Sequence, residues 1–344
     1  MYYIIEDYID PYYNLATEEH LFRNSDKEII RLWRNNNTIV VGRNQNTLSE
    51  INYEYVIQNN INVVRRLTGG GAVYHDLGNL NYTFIEQYRD GMNSDQMFRK
   101  FTAPIIEALN SIGVNAKLEG RNDLLIDGKK FSGNAIAIYN GRVLQHGTLL
   151  FESSINRIGD ALRNRPEKFS DKAVKSNKSR VTNIKEHILK NLGNNKYPQL
   201  ANLKEEEINV LWFKNFLKEW FKKSFDNFKE YNLLPSDSAE IERLYNDKYS
   251  TREWNFGSSP KYTFNNSAKF PGGIVELYLT VTNGIISELN IFGDYFFTSP
   301  TEEFIRQIIG TPHTYKALEK KISTIDIGAY FYKIEKEEIL NLFF

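Results

Sequence analysis

The stretch Asp123–Phe151 constrains this chain more than any other segment. It carries two tight-turn dipeptides, Asp127-Gly128 and Asn140-Gly141, set among apolar, strand-forming runs. Both central residues of a two-residue hairpin need positive φ, which Asn, Asp and Gly tolerate best. The segment therefore reads as consecutive antiparallel hairpins, with strands at Lys130–Tyr139 and Arg142–Phe151. A two-residue turn also fixes register. Tyr139 pairs with Arg142, Ala135 falls opposite His146, and Gly133 opposite Thr148. Those last four share one face. A regular strand would put Lys130 on the other face. Lys130 joins them only if the strand bulges near Ser132-Gly133 or starts after Lys130.

Helical patterns occur at Leu15–Asn24, Tyr53–Asn60, Ser94–Ser111 and Glu205–Phe228. Ser94 is placed to cap the third, and Gly113 sits where it would stop. Further strand patterns lie at Ile29–Arg34, Thr38–Val41, Asn81–Glu86 and Val114–Leu118. Hairpins interspersed with helices predict an α+β fold: a mixed, largely antiparallel sheet flanked by helices. With 344 residues the chain exceeds one small core, and ~100–200 residues per domain predicts two. The pattern restarts after Tyr245. Gly272–Leu279 and Ile285–Phe292 flank Asn283-Gly284, and helices follow at Thr301–Ile309 and Tyr315–Lys321. The expected division is residues 1–245 and a small α+β domain over 246–344. Pro166–Pro198 is polar, and its first half reads as a long loop, either a lid or a linker.

Composition narrows function chiefly by what is missing. There is no cysteine, which closes disulfides, thiolate metal sites and thiol nucleophiles. The 43 basic and 43 acidic residues cancel, unlike the basic excess of a nucleic-acid binder. No apolar run reaches the ~18 residues of a transmembrane helix. The N-terminus, Met1-Tyr2-Tyr3-Ile4-Ile5-Glu6-Asp7, lacks the basic-then-apolar order of a signal peptide. The expectation is a cytoplasmic monomer that engages neither nucleic acid nor membrane. One local asymmetry remains: Ala161 to Lys190 holds nine Lys/Arg against three Asp/Glu, a net of +6. Such a run is either solvated surface or a docking face.

Three segments carry chemistry. In Arg65-Arg66-Leu67-Thr68-Gly69-Gly70-Gly71-Ala72-Val73-Tyr74-His75-Asp76, three glycines let backbone amides approach an anion, with two arginines beside them. No Gly-Lys-Ser/Thr follows, so this is not a P-loop, and no Gly-x-Gly-x-x-Gly precedes a helix. The alternative is a flexible turn between strands. In Gly120-Arg121-Asn122-Asp123-Leu124-Leu125-Ile126, Asp123 can hold a Mg²⁺ that bridges phosphates. The Asx pair can equally form a turn. In Asp127–Ala135, the small residues Ser132, Gly133 and Ala135 allow close approach of a ligand, while Lys130 alone reads as a solvated hairpin lysine.

These segments together resemble the lipoate–protein ligases. Arg65–Asp76 with Leu77-Gly78-Asn79, Arg121-Asn122-Asp123, Asp127–Ala135, and His146-Gly147-Thr148-Leu149-Leu150 follow that family's order. Lys178-Ser179-Arg180-Val181-Thr182-Asn183-Ile184 is similar to its adenylate loop, and Lys248–Gly257 to the start of the accessory domain of two-domain ligases.

The resemblance implies a biotin/lipoate ligase-like catalytic domain. It would use ATP and Mg²⁺ to turn lipoate into lipoyl-AMP, releasing pyrophosphate. The lipoyl group would then pass to a lysine of lipoyl domains in 2-oxo acid dehydrogenase complexes or of the glycine cleavage H protein. Octanoate stays open as a second acyl substrate. By the same resemblance the nucleotide site comprises Arg66, Gly69, Gly70, Gly71, Ala72, Val73, Tyr74, Asn79, Asn122, Asp123, Lys130, Ser179, Arg180, Val181 and Thr182. The lipoate site comprises Arg66, Thr68, Gly71, Gly133, Ala135, His146, Gly147 and Thr148. Lys130 contacts the activated carboxyl, Asp123 holds the metal, Ser179–Asn183 closes over the adenylate, and Asn134 has no role.

The rivals are an octanoyl or lipoyl transferase, a biotin ligase, and a non-catalytic nucleotide- or carrier-binding protein. The first needs a cysteine thioester, which this chain cannot form. The triple glycine disfavours the second, and retention of Lys130 and Asp123 the third.

Overall fold

The structure, a computed structural model, describes every residue except 89–90, 121, 163–168, 172–180 and 260. Ser179 and Arg180 of the expected site therefore lie outside the described residues. So do Arg121 and the basic residues Arg163, Arg165, Lys168 and Lys172.

Two compact units form. The first consists of the described residues of Met1–Arg43, Asn59–Leu162 and Ser176–Ser250; the second, of those in Asn44–Gln58, Arg163–Lys175 and Thr251–Phe344. Nothing in the sequence pattern signals that Asn44–Gln58 joins the C-terminal unit.

The strands, in chain order, are β1 (Tyr2–Ile4), β2 (Ile29–Trp33), β3 (Thr38–Val41), β4 (Asn62–Arg65), β5 (Val73–His75), β6 (Asn79–Gln87), β7 (Ala116–Glu119) and β8 (Asp123–Ile126). Then come β9 (Lys129–Tyr139), β10 (Arg142–Leu150), β11 (Phe169–Asp171), β12 (Lys229–Tyr231), β13 (Tyr262–Phe270), β14 (Gly273–Thr282) and β15 (Ile285–Gly293). The first unit holds an eight-stranded sheet, β12-β1-β2-β6-β10-β9-β8-β7, and a three-stranded sheet, β4-β3-β5. Only the β1–β12, β1–β2 and β3–β4 pairs of these sheets are parallel. The expected α+β fold with a mixed, largely antiparallel sheet is what forms.

Both turn dipeptides adopt the left-handed conformation, with φ of 50° and 73° at Asp127-Gly128 and of 45° and 70° at Asn140-Gly141. The second sets Arg142 opposite Tyr139 and His146 opposite Ala135, as the turn type requires. That ladder ends at Gly147–Asn134, and Thr148 reaches Gly133 through its side chain, Oγ1 accepting from Gly133 N at 3.2 Å.

This register gives the large sheet two different faces. One carries Ile30, Leu32, Leu80, Tyr82, Phe84, Val143 and Leu149 into the main core. Helices Ser94–Ser111 and Val210–Ser224 cover it, contributing Phe101, Ile105, Phe213 and Phe221. The first of these helices is capped by Asn93 in a capping box with Gln96, not by Ser94. Asn93 lies one residue outside and its side chain meets the third helical amide. The second starts at Val210 behind an Asn209 cap, later than the pattern from Glu205 suggested.

The opposite face carries Arg31, Thr83, His146 and Ala135 in one cross-strand row, and Trp33, Asn81 and Thr148 in the next. Helix Pro11–Asn24 covers it. Its start escaped the periodicity because Asp10 caps it and Pro11 opens it. Residues 14, 18, 21 and 22 share one side of a 3.6-residue helix. Accordingly Leu21 and Phe22 pack on Ile29, Ile85 and Leu144, while Asn14 and Glu18 meet the polar rows.

The second unit is built on the antiparallel sheet β11-β13-β14-β15. Asn283-Gly284 turns the β14–β15 hairpin as expected; the sequence pattern did not reveal β13. Thr47 Oγ1 donates to Asn255 O at 2.7 Å, and this ties the Asn44–Gln58 segment into the unit. The chain terminus does the same. Phe344 stacks between Tyr53 (4.8 Å, 11°) and His313 (5.2 Å, 8°). His313 donates Nε2–H to Phe343 O and accepts from Tyr262 O–H, both at 2.6 Å, and burial pushes its pKa down to about 4. Among the described residues no helix is long and apolar enough to cross a membrane.

Stacked aromatic pairs add about 0.5–1.5 kcal/mol each beyond their burial. Phe344→Ala is therefore expected to destabilise the second unit by roughly 2 kcal/mol. The double variant with Tyr53→Ala should cost less than the two singles together, because they share one contact. Thermal unfolding of the four proteins measures both.

Candidate active site

The glycine segment leaves β4 at Arg65 and returns as β5 at Val73. Arg66 is 5% exposed and organises it. Its Nη2 donates to Gly69 O (2.7 Å) and Gly71 O (2.8 Å), Nη1 to Val40 O (3.1 Å), and Nε to Thr68 Oγ1 (3.0 Å). These bonds turn the guanidinium inward. In a trans peptide the carbonyl and the following N–H point in opposite directions. Drawing Gly69 and Gly71 carbonyls onto the guanidinium therefore turns the following amides, such as that of Gly70, away from it. Gly70 has φ of 92°, so only glycine sits there without strain. Burial pushes the Arg66 pKa down to about 10, which still leaves it charged at neutral pH.

Thr68 Oγ1 lies 2.7 Å from His146 Nε2, and His146 Nδ1 lies 2.9 Å from Glu18 Oε2. Ala135 is His146's ladder partner. Ala135, His146, Thr148 and Gly133 are thus brought together as the register implied, and Thr68 joins them through a tertiary contact. Gly147 differs. A Cβ there would lie 2.2 Å from Asn134 Oδ1 and 2.6 Å from the Tyr82 ring, so its glycine serves packing on the core face. Tyr74 likewise points away from its neighbours Val73 and His75, its hydroxyl donating to Asn37 Oδ1 at 2.9 Å.

Lys130 is brought in by a bulge. Leu124 pairs with Ser132 but Leu125 pairs with Lys130, leaving Phe131 as the extra residue. Phe131 is fully buried in the main core. Its insertion rotates Lys130 to the Gly133 side: a Cβ on Gly133 would lie 3.1 Å from Lys130 Nζ. The ammonium pairs with Asp123 Oδ1 at 2.8 Å. The break in pairing falls one residue before the Ser132-Gly133 position the register argument named.

Asn122 is fixed by Asn134, for which sequence reasoning had no role. Asn122 Nδ2 donates to Asn134 O (2.6 Å), and Asn134 Nδ2 donates to Asn122 O (3.0 Å). From the adenylate-loop segment, Val181 bridges to Lys130, and Thr182 N donates to Lys130 O at 2.9 Å.

Asn79 belongs to a second polar chain. Arg31, fully buried and ion-paired with Glu6, donates to Asn14 Oδ1 at 2.6 Å. Asn14 Nδ2 donates to Asn35 Oδ1 (2.9 Å), and Asn35 Nδ2 faces His75 Nδ1 (3.1 Å). Asn81 Nδ2 faces the same nitrogen at 3.4 Å, and Asn79 Nδ2 donates to Asn81 Oδ1 at 2.9 Å. Arginine can only donate, so the direction of every amide follows from it. His75 Nδ1 is then an acceptor and Nε2 carries the proton. Burial first, then the Arg66 charge, pushes the His75 pKa down to about 3, so the ring is neutral. The sequence assigned no role to His75, although it lies in the glycine segment, and did not point to Glu18; the 14/18 helical spacing was the one available signal for Glu18.

Among the described residues no group of three or more His, Asp or Glu could cage a metal ion. Asp123 is a single carboxylate beside an ammonium. That donor set fits a Mg²⁺ delivered with a polyphosphate, which needs only one or two protein carboxylates.

Residues 10–201 match the family described as lipoyl protein ligase A/B catalytic domain, and residues 259–343 that described as bacterial lipoate protein ligase C-terminus. The chain is 38% identical over 339 residues to lipoate-protein ligase LplJ of Bacillus subtilis (strain 168), covering 97% of each. Among solved structures it is similar to an archaeal bi-partite lipoate protein ligase from Thermoplasma acidophilum, described with its E2 lipoyl domain. The TM-score is 0.60 at 25% identity, covering 74% of this chain and 96% of that one. It is equally similar to lipoate-protein ligase A bound with ATP, with a TM-score of 0.60, 25% identity and coverage of 74% and 98%. With a catalytic and a C-terminal family match and 97% of the chain aligned at 38% identity, the chain belongs to the lipoate–protein ligase family.

Proposed function

We propose that this chain activates lipoate with ATP and transfers the lipoyl group to a lysine on a lipoyl carrier domain. The observation that carries the reading is the bulge at Phe131, which sets Lys130 beside Gly133 and Asp123 against the main-chain register. A solvated hairpin lysine needs no such break. Similarity to a ligase bound with ATP and to one described with a lipoyl domain supports the same reading.

The chemistry follows from charge. A lipoate carboxylate oxygen attacks the α-phosphorus of ATP, the α–β bridging bond breaks, and pyrophosphate leaves. Both reactants are anionic, so positive charge must stand where they meet. Lys130 supplies it at the carboxyl, and the outward amides of the Gly69–Gly71 loop supply donors at the phosphate. Arg66 shapes that loop from behind. Asn79, Asn122, the loop residue Ala72 and the adjoining backbone of Val73 and Tyr74 line the nucleotide; Thr68, Gly133, Ala135, His146 and Thr148 line the acyl chain. Mg²⁺, held by Asp123, would offset triphosphate charge. The carrier lysine then attacks the acyl carbon, loses a proton, and AMP leaves. Val181 and Thr182, tied to the Lys130 backbone, anchor one end of the segment that we assign as the adenylate lid, a role that includes Ser179 and Arg180. Residues 246–344 serve as the accessory domain. The carriers are the lipoyl domains of 2-oxo acid dehydrogenases or the glycine cleavage H protein, with octanoate a second acyl substrate, and the enzyme works as a cytoplasmic monomer.

ATP–pyrophosphate exchange is expected with lipoate and Mg²⁺ and is expected to vanish when either is omitted. Exchange with biotin and none with lipoate would sink the assignment. Lys130→Met should lower lipoate-dependent exchange by about 10²–10³-fold, the usual loss of a charge that meets the reacting group, with thermal stability unchanged. An unaltered rate returns Lys130 to the surface. The basic residues Arg163, Arg165, Lys168 and Lys172 are assigned to steering an acidic carrier, an effect that salt screens over ~8 Å at physiological strength. Reversing all four should raise the KM for carrier and flatten its salt dependence while pyrophosphate exchange stays constant. Carrier kinetics that ignore the reversal at every salt concentration would remove the steering role.

A further inference from the structure

Glu18 is 1% exposed and lies on the polar face of the large sheet, inside the site but outside every motif the sequence offered. Its carboxylate accepts from Thr83 Oγ1 at 2.7 Å and from His146 Nδ1 at 2.9 Å. Thr83 is itself held by Trp33 Nε1 at 2.9 Å. On the far side of the ring, His146 Nε2 meets Thr68 Oγ1 at 2.7 Å, and Thr68 Oγ1 accepts from Arg66 Nε at 3.0 Å. A guanidinium only donates and an ionised carboxylate only accepts. With a neutral imidazole there is one consistent arrangement: Arg66 donates to Thr68, Thr68 donates to His146 Nε2, and His146 donates Nδ1–H to Glu18.

The same Arg66 draws in the carbonyls of Gly69 and Gly71. One buried chain therefore joins the ring at the acyl site to the loop at the nucleotide site. It also lets two buried opposite charges balance without touching; the Glu18 charge favours the charged form of Arg66.

We infer that Glu18 is a positioning residue for acyl activation, fixing the tautomer and plane of His146 and, through Thr68, the inward pose of Arg66, so that one carboxylate sets both substrate sites. This rests on the ligase reading for the identity of the substrates, not for the geometry of the chain.

The test has three parts. In wild-type protein with ¹⁵N-labelled histidine, the His146 ring should show the proton on Nδ1; a ring protonated on Nε2 alone overturns the proposal without any variant. In pyrophosphate exchange, Glu18→Gln should raise the KM for lipoate and for ATP alike, each by roughly tenfold, the loss expected for a charge-assisted hydrogen bond. A residue that merely walls the acyl site would raise the lipoate KM alone, and that result also overturns it. Thr68→Val cuts the chain one link on without removing a charge. It should reproduce the split, and it serves if Glu18→Gln fails to fold. The double variant should lose little more than either single variant, since both break one chain; fold-losses that multiply would show two independent roles. Absence of lipoate-dependent exchange in the wild type would count against the ligase reading, and the ring measurement would still judge the relay.

Discussion

The register that the Asn140-Gly141 turn imposes on β9 and β10 is the constraint on which the site depends. It sets His146 opposite Ala135, in line with the Arg31–Thr83 pair of the neighbouring strands on one face, and sends Val143 and Leu149 to the other. Side chains alternate with a period of two, so a slip of one residue would exchange these sets. His146 and Thr148 would then enter an apolar core, and the site would be lined with Val and Leu. Burial of Leu80, Tyr82 and Phe84 on the core face resists that slip from the neighbouring strand.

A sheet face this polar is costly to bury. Removing each ion from water costs several kcal/mol unless it is paired and hydrogen-bonded. Arg31 pairs with Glu6, while Arg66 is balanced by Glu18 through Thr68 and His146. The result is a floor whose donors and acceptors cannot rotate freely, because the arginine or carboxylate at each end fixes proton direction. Preorganised polar groups of this kind stabilise developing charge without reorganising. The cost of burial and the capacity to stabilise developing charge share one origin.

The site also contains the clearest departure from local regularity. An uninterrupted β8–β9 ladder would bury Phe131 less well and turn Lys130 from Gly133. The bulge satisfies both the core, which takes Phe131, and the site, which takes Lys130. Local rules tend to break at functional positions, and the break here is marked by small residues, Ser132 and Gly133, that tolerate it. Asn134 contributes in a way no local rule signals, holding Asn122 by paired amide bonds and requiring glycine at position 147.

The sequence by itself determined the turns, the strand order through the central hairpins, the face that carries His146 and Thr148, and the absence of thiol chemistry. These are local matters: the φ preference of Asn-Gly, a period of two, and the presence or absence of a side-chain type. It left Lys130 between two faces, gave no role to His75 or Asn134, and did not point to Glu18. Tertiary structure decided those, because each depends on residues far away in the chain. Glu18 reaches His146 across 128 positions, His75 meets Asn35 across 40, and Asn44–Gln58 folds with the C-terminal unit. A hydrogen-bond chain gains its direction only when both ends are in place, and no sequence window holds both ends.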